Sequence, residues 1–231
     1  MRLCFYLSLM LLIVASAGCS GENHKIKAGS IVYSVDYPKH KNNAFLYNIL
    51  PKETEVDFQD GVIRHDISQA NLFNIMLIDC NQKKLEVYHQ YGDDSYNISL
   101  SENELTEMQK KLPRYKILIK SDTRIIAGLT ARKAIAVNQD LADERVELWY
   151  TEDLGIPNPN WYNPYHGVPG VLLEYTIEQF GIKMKYSAIK FTEKKVNQTA
   201  EKLSIPIKGS TLNYQEYSNK MVDIFQSFQW W

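Results

Sequence analysis

The chain has 231 residues, of which 45% are hydrophobic and 23% charged, and its formal net charge at pH 7 is −1. These proportions are those of an ordinary globular protein, and they exclude a wholly disordered chain. The near-neutral charge also leaves no large basic excess to neutralise phosphates, so nucleic acid is not expected as a partner. The 15 Tyr, together with the Thr, Val and Ile residues, favour strands.

The N-terminal segment is typical of an export signal. Arg2 supplies a positive charge, and residues 3–17 form an uncharged, mostly apolar run of 15 residues. This run is shorter than the roughly 20 residues that a transmembrane helix needs, and it matches the hydrophobic region of a signal peptide. We therefore expect residues 1–18 to be a signal peptide and the protein to be exported.

Two processing sites compete around Cys19. Residues 16–19 (SAGC) resemble a bacterial lipobox, in which small residues precede a cysteine that is acylated, with Ser16 in the position where Leu is usual. Residues 15–17 (ASA) form an A-x-A site, which an ordinary signal peptidase would cut after Ala17. The first interpretation makes Cys19 a lipid anchor that holds the protein on the periplasmic side of the outer membrane.

The three cysteines predict no disulfide framework. Cys4 leaves with the signal and Cys19 would be acylated, so Cys80 remains alone in the apolar stretch 73–80 as a small buried residue. If Cys19 is not acylated, a Cys19–Cys80 bridge is open to the protein in an oxidising compartment. Residues 19–30 would form the lipidated tether.

The chain after the tether predicts a run of short antiparallel strands. In Ile31–Tyr37 apolar and polar side chains alternate, which is the pattern of a half-buried strand. The Asp60-Gly61 step predicts a tight hairpin between its flanking segments. The strands of this first run are expected at residues 31–37, 55–58, 62–67, 72–79, 84–91 and 96–100.

A second run of strands lies between two predicted helices. Residues 101–104 (SENE) form a capping box that starts a short mid-chain helix, which Pro113 closes. The strands are expected at residues 116–120, 124–127, 131–137, 145–151, 171–178 and 182–191, the last two joined as a hairpin. Residues 213–216 (NYQE) start a C-terminal helix with an apolar stripe at helical spacing. The stripe comprises Tyr217, Met221, Ile224, Phe225 and Phe228.

The interval between the strands at 145–151 and 171–178 is predicted to be a structured loop, because it contains four prolines. These are Pro157, Pro159, Pro164 and Pro169. Aromatic residues gather around it, and such rings can line a mostly apolar pocket or anchor the loop on the core. The candidate ligand or partner contacts are Trp149, Trp161, Tyr162, Tyr165 and His166, with Tyr175 nearby.

Residues 167–172 (GVPGVL) resemble the motif that names the GLPGLI family of bacterial exported proteins. Residues 148–153 (LWYTED) and 128–134 (GLTARKA) are similar to two further segments of that family, and Ala131 stands where relatives often carry a Cys. Gly167 and Gly170 permit backbone angles closed to other residues, and Pro169 fixes one torsion between them. The motif loop can therefore be a rigid entry into the next strand or a ligand-contacting loop.

The resemblance implies an α+β fold of the LolA-like group. In this fold a curved antiparallel sheet, an incomplete barrel, carries helices on its open side, and the group includes carriers of acyl chains. The short mid-chain helix and the C-terminal amphipathic helix would pack on the sheet. We expect residues 31–231 to form one such domain, since no linker or repeat divides them.

The sequence contains no motif for catalysis, metal binding or a cofactor, and none is predicted. The leading hypothesis is a non-catalytic envelope lipoprotein that binds an apolar ligand, an acyl chain or an exported partner in a cavity between sheet and helices. The alternative is a structural lipoprotein that docks another envelope protein without a small ligand. A minor alternative is a hydrolase with a dispersed site, in which His166 would meet Glu152 or Glu174.

Overall fold

The computed structural model describes residues 25–42, 44–70, 72–141, 144–196 and 203–227. The predicted signal peptide, Cys19 and the first half of the predicted tether (residues 19–24) lie outside the described residues, as does Phe228 at the end of the predicted C-terminal stripe. The end of the predicted tether is wrong, because residues 28–30 are buried at the start of the first strand. No helix of the described part is long and apolar enough to cross a membrane.

The described part of the chain forms twelve strands and three helices. The strands are β1 (Ala28–Asp36), β2 (Glu53–Gln59), β3 (Val62–Gln69), β4 (Leu72–Asp79), β5 (Lys84–Tyr91), β6 (Asp94–Ser99), β7 (Tyr115–Ile126), β8 (Leu129–Asn138), β9 (Arg145–Thr151), β10 (Val171–Gln179), β11 (Ile182–Glu193) and β12 (Ser210–Thr211). The helices are α1 (Ala44–Ile49), α2 (Glu102–Lys110) and α3 (Tyr214–Ser227).

All the strands belong to one sheet, in the order β12-β6-β5-β4-β3-β2-β1-β11-β10-β9-β8-β7. Neighbouring strands are antiparallel except for β12, which runs parallel to β6. The sheet is curved, and it is unclosed because its two end strands, β7 and β12, do not pair with each other. This confirms the predicted α+β class with a curved, open antiparallel sheet, whereas a specifically LolA-like fold stays a prediction.

Tight two-residue turns set the register of two predicted hairpins. The turn between β2 and β3 has Asp60 at φ 48° and Gly61 at φ 85°, the left-handed pair that a two-residue hairpin needs. Phe180 and Gly181 repeat this geometry at φ 51° and 80°. The Asp-Gly hairpin and the β10–β11 hairpin were both expected from these residues, and both are confirmed.

Two strands differ from expectation. Residues 115–126 form the single strand β7, where the sequence predicts two segments, 116–120 and 124–127, separated by the polar residues 121–123. The structure carries the strand across this interruption with a register shift between Ile119 and Thr123. The strand β12 was not predicted, since two residues carry no periodic pattern.

Apolar rows run across β2–β6 on the face that the helices cover. Residues directly paired across antiparallel strands share a face, so one row is Val56, His65, Met76, Val87 and Ile98. The helices contribute Leu105 of α2 and Tyr217 and Met221 of α3 to the same buried cluster. Both predicted helices therefore pack on the sheet, and α1 adds a short turn before β2.

Candidate functional site

A cavity of about 360 Å³ lies between the sheet face and the helices α2 and α3. This volume falls in the range of roughly 300–1,000 Å³ that small-molecule sites occupy. Its lining is largely apolar and comes from six strands, β3, β4, β5, β6, β10 and β11, together with Tyr217 and other residues of the two helices. The buried apolar residues of the lining include Leu85, Val87, Ile98, Leu100 and Tyr186.

The mouth of the cavity is marked by its exposed lining residues. These are Lys111 and Pro113 after α2, and Glu178 and Gln179 at the end of β10. Lys111 Nζ donates a 2.9 Å hydrogen bond to Gln215 Oε1 at the start of α3. Glu178 forms a 2.9 Å ion pair with Lys39. Charge is thus confined to the rim, and the interior is left to apolar and aromatic groups.

A group of tyrosines forms one wall. The rings of Tyr175 and Tyr186 stack with centroids 4.8 Å apart, and Tyr33 meets both edge-on at 6.2 Å. The Tyr33 hydroxyl donates a 2.7 Å hydrogen bond to the carbonyl oxygen of Leu172. Burial, the largest influence, raises the pKa of Tyr175 and Tyr186, so both phenols are uncharged donors at neutral pH.

His65 lies beside these rings, 6.0 Å from the Tyr186 ring centroid. Its side chain is 6% exposed, and its Nε2 has no hydrogen-bond partner among the described residues. Burial lowers the pKa of His65 to about 4, against an opposing influence of the adjacent Asp66. The imidazole is therefore neutral at pH 7.

The Pro-rich loop, residues 157–170, closes another side of the site. Asn160 is buried, and its Nδ2 donates to the carbonyl oxygens of Val168 at 3.0 Å and Gly170 at 2.8 Å. A Cβ on Gly170 would lie 2.0 Å from the carbonyl oxygen of Thr151, so only glycine fits there. The motif loop 167–172 is thus held rigidly against β9, as a structural entry into β10 requires.

The candidate contact residues lie in different parts of the structure, and only some of them line the cavity. Tyr162 and Tyr175 line the cavity. Trp161 is buried beside α2, at a more open and polar cleft of about 600 Å³, and its carbonyl oxygen accepts a 3.0 Å hydrogen bond from Gln109 Nε2. Tyr165 is buried in a second apolar cluster, where its hydroxyl donates to the carbonyl oxygen of Thr176. His166 is exposed.

Trp149 lies away from the cavity lining. Its ring packs under the guanidinium of Arg124, 4.0 Å from the centroid, and its Nε1 donates a 2.9 Å hydrogen bond to Glu147. In the motif loop, Gly167 and Pro169 are exposed, whereas Gly170 is buried. A Cβ on Gly167 would come within 3.0 Å of the Ile117 side chain.

The residues of the dispersed-site hypothesis are not brought together. Glu152 pairs with Arg132 at 3.2 Å, and Glu174 forms an ion pair with Arg124. No hydrogen bond or ion pair in the described ranges joins His166 to either carboxylate. Nor does any group of three His, Cys, Asp or Glu side chains within those ranges assemble into a metal site.

Sequence reasoning missed His65, although a signal was present. In β3, Ile63, His65 and Ile67 alternate with Arg64 and Asp66, so His65 occupies a position of the inward, apolar face. A histidine in such a row needs a polar partner or a special role. Cys80, by contrast, is buried as expected, and burial raises the pKa of its thiol to about 12.

Comparisons with known proteins bear on the fold. The sequence matches no protein-family model and no curated protein. The solved structure of PNGF-II is similar over 85% of this chain, with 14% identity and a TM-score of 0.53, and this chain spans about a third (33%) of that protein. The MucA/MucB complex of Pseudomonas aeruginosa is similar over 80% of this chain and 58% of its own, with 9% identity and a TM-score of 0.39. The likeness to PNGF-II concerns the fold alone.

Proposed function

We propose that this protein is an exported, lipid-anchored envelope protein of the GLPGLI type that binds an apolar ligand, such as an acyl chain, without catalysis. The observation that carries the proposal is the cavity of about 360 Å³ between the sheet and the helices α2 and α3. The interior of a protein is normally close-packed, and voids larger than a water molecule are few. A space of this size in the middle of the sheet face favours an occupant.

The lining supports an apolar occupant. Aliphatic and aromatic groups dominate it, whereas Lys111 and Glu178 lie at the mouth. Transfer of a chain from water into such an interior is favourable by roughly 25 cal/mol for each Å² of apolar surface buried. The charged groups at the rim would stay hydrated while an acyl chain lies inside, so ligand binding buries no charge.

The test is native mass spectrometry with lipid extraction. The full chain would carry Cys19→Ser, so that it is exported without an acyl group, and would be purified from a bacterial periplasm without detergent. We expect a bound lipid of defined mass. Ile177→Trp, which places an indole in the cavity, is expected to abolish it, whereas Ile189→Trp on the exposed part of β11 should retain it. A wild-type protein with no bound lipid would contradict the proposal.

A second candidate function is the docking of an envelope protein on β7. This strand lies at one end of the sheet, so one side of its backbone faces no other described strand, and Ile119 and Ile125 are 43% and 67% exposed. An extended segment of a partner can add to such an edge. If the native protein is empty, crosslinking from a photoreactive residue at Ile125 to envelope proteins would test this candidate. A crosslink that Lys120→Pro abolishes would support docking at the edge.

A further inference from the structure

His65 breaks an otherwise apolar row of the sheet. Its cross-strand neighbours are Val56 on β2 and Met76 on β4, and the row continues through Val87 and Ile98. An aliphatic residue at this position would pack without leaving a polar atom unpaired. The imidazole is instead 6% exposed, and its Nε2 has no partner among the described residues.

The position of His65 in the fold links it to the cavity. Its side chain lines both the cavity of about 360 Å³ and a smaller space of about 50 Å³ beneath the Pro-rich loop. Tyr162, Asn163 and Tyr175 line the same two spaces, so His65 stands where they adjoin. His65 is buried, whereas Lys111 and Glu178, which line the same cavity, are exposed.

The charge of the site restricts what His65 can bind. Its pKa is lowered to about 4 by burial, so the imidazole is a neutral donor or acceptor at pH 7. The charged residues that line the cavity, Lys111 and Glu178, lie at the mouth. A carboxylate or phosphate beside His65 would either lie buried without a cation or require protonation of the imidazole, and burial disfavours both outcomes. A hydroxyl or carbonyl oxygen carries no such penalty.

We propose that His65 is a specificity-determining residue, which hydrogen-bonds an uncharged oxygen, hydroxyl or carbonyl, at the buried end of an otherwise apolar ligand. The inference rests on the proposed function of the cavity and defines its ligand class. An alkane-like chain would leave Nε2 unpaired, and an anionic head would remain at the rim. The natural ligand is then a neutral lipid that enters with its oxygen-bearing end first.

Competitive displacement of a fluorescent probe tests this. The full chain carrying Cys19→Ser would be loaded with N-phenyl-1-naphthylamine, and 1-decanol and 1-chlorodecane would compete for the site. The two competitors share one chain length and differ in their hydrogen-bonding end. We measure the ratio of the Kd of 1-chlorodecane to that of 1-decanol. His65→Met is expected to lower this ratio about 5-fold, the effect of one hydrogen bond.

A matched control is His89→Met. His89 is also buried and without a partner at either ring nitrogen in the described part, but it lines a neighbouring space of about 40 Å³ near α3 and not the cavity itself. This variant should leave the ratio unchanged. An unchanged ratio in His65→Met would overturn the inference while leaving the proposed function intact. If neither competitor displaces the probe from the wild type, the proposed function itself fails.

A measurement on the wild-type side chains covers the case in which His65→Met does not fold. With ¹⁵N-labelled histidine, 1-decanol should shift the imidazole nitrogen resonance of His65 well beyond the shift that 1-chlorodecane causes. Equal shifts with the two competitors would contradict a hydrogen bond to the ligand. The resonance of His89 serves as the internal reference, because it lies outside the cavity lining.

Discussion

At the scale of single residues, the motif loop depends on one close backbone approach. Gly170→Ala would place a Cβ 2.0 Å from the carbonyl oxygen of Thr151. Because this oxygen belongs to the backbone, the clash can be relieved only by moving the main chain. We expect the free energy of unfolding to fall by about 3 kcal/mol, as for severe overpacking. Urea denaturation measures the change. Gly155→Ala is the control, since its nearest contact would be an ordinary 3.4 Å, and a loss equal to that of Gly170→Ala would contradict the argument.

Asn160 provides a second test at this scale. Its Nδ2 donates to two buried carbonyl oxygens, those of Val168 and Gly170. Asn160→Asp removes both donors and sets a carboxylate against the two oxygens, so we expect a loss of about 2 kcal/mol or more in unfolding free energy. Asn213→Asp is the control, because its Oδ1 accepts from the Glu216 amide at 2.9 Å and an aspartate keeps that acceptor. Equal losses in the two would argue against the donor role of Asn160.

At the scale of elements, the residues that cap the N-terminus of α2 also bind the start of α3 through a hydrogen bond. Ser101 Oγ accepts from the Glu104 amide, and Glu104 Oε2 accepts from the Ser101 amide at 3.0 Å, which completes the capping box. The other oxygen, Oε1, accepts from the Tyr214 amide at 3.0 Å, in the first turn of α3. One carboxylate therefore joins the starts of the two helices that cover the cavity.

Glu104→Gln is expected to loosen α3, because an amide has only one acceptor oxygen for these donors. The hydrogen bonds from Ser101, and next from Tyr214, lower the pKa of Glu104. A carboxyl whose folded pKa is lowered stabilises the fold above its unfolded pKa and loses this effect as pH falls through the folded pKa. The stability difference between wild type and Glu104→Gln, measured by urea denaturation, should thus shrink below about pH 4. A difference independent of pH would contradict the charge argument.

At the scale of the whole molecule, buried neutral histidines make stability depend on pH. Burial lowers the pKa of both His65 and His89 to about 4, with Lys220 adding to the effect at His89. The unfolded chain takes up protons below about pH 6.5 and the folded chain only near pH 4, so stability is lost as pH falls through this window. Each histidine should contribute a slope of about 1.4 kcal/mol per pH unit there.

The double variant His65→Met/His89→Met tests this dependence. We expect its unfolding free energy to change less between pH 6.5 and 4 than that of the wild type, when both are followed by urea denaturation with circular dichroism. The exposed residue His166 is the control, and His166→Gln should keep the wild-type slope. An unaltered slope in the double variant would show that other groups govern the acid sensitivity.

Much of the sheet was open to prediction, because strand alternation and two-residue turns are local properties of the sequence. The bounds of β4, β5 and β9 match the predicted segments, and the capping box of α2 is present. The cavity was not predictable to the same degree. Tyr162 was among the candidate contacts, whereas His65 is a lining residue only because distant strands and two helices enclose it.

The sequence by itself determined an alternating, Tyr-rich chain with tight turns and two amphipathic helices, since these follow from side-chain periodicity and backbone preference. It also predicts the export signal and the role of Cys19 as a lipid anchor. Only the tertiary structure decided which aromatic residues line the cavity and which pack in the core. Trp149 and Tyr165 pack elsewhere, and His65 is left without a partner, because the curvature of an open sheet and the seating of α2 and α3 arise from contacts far apart in the chain.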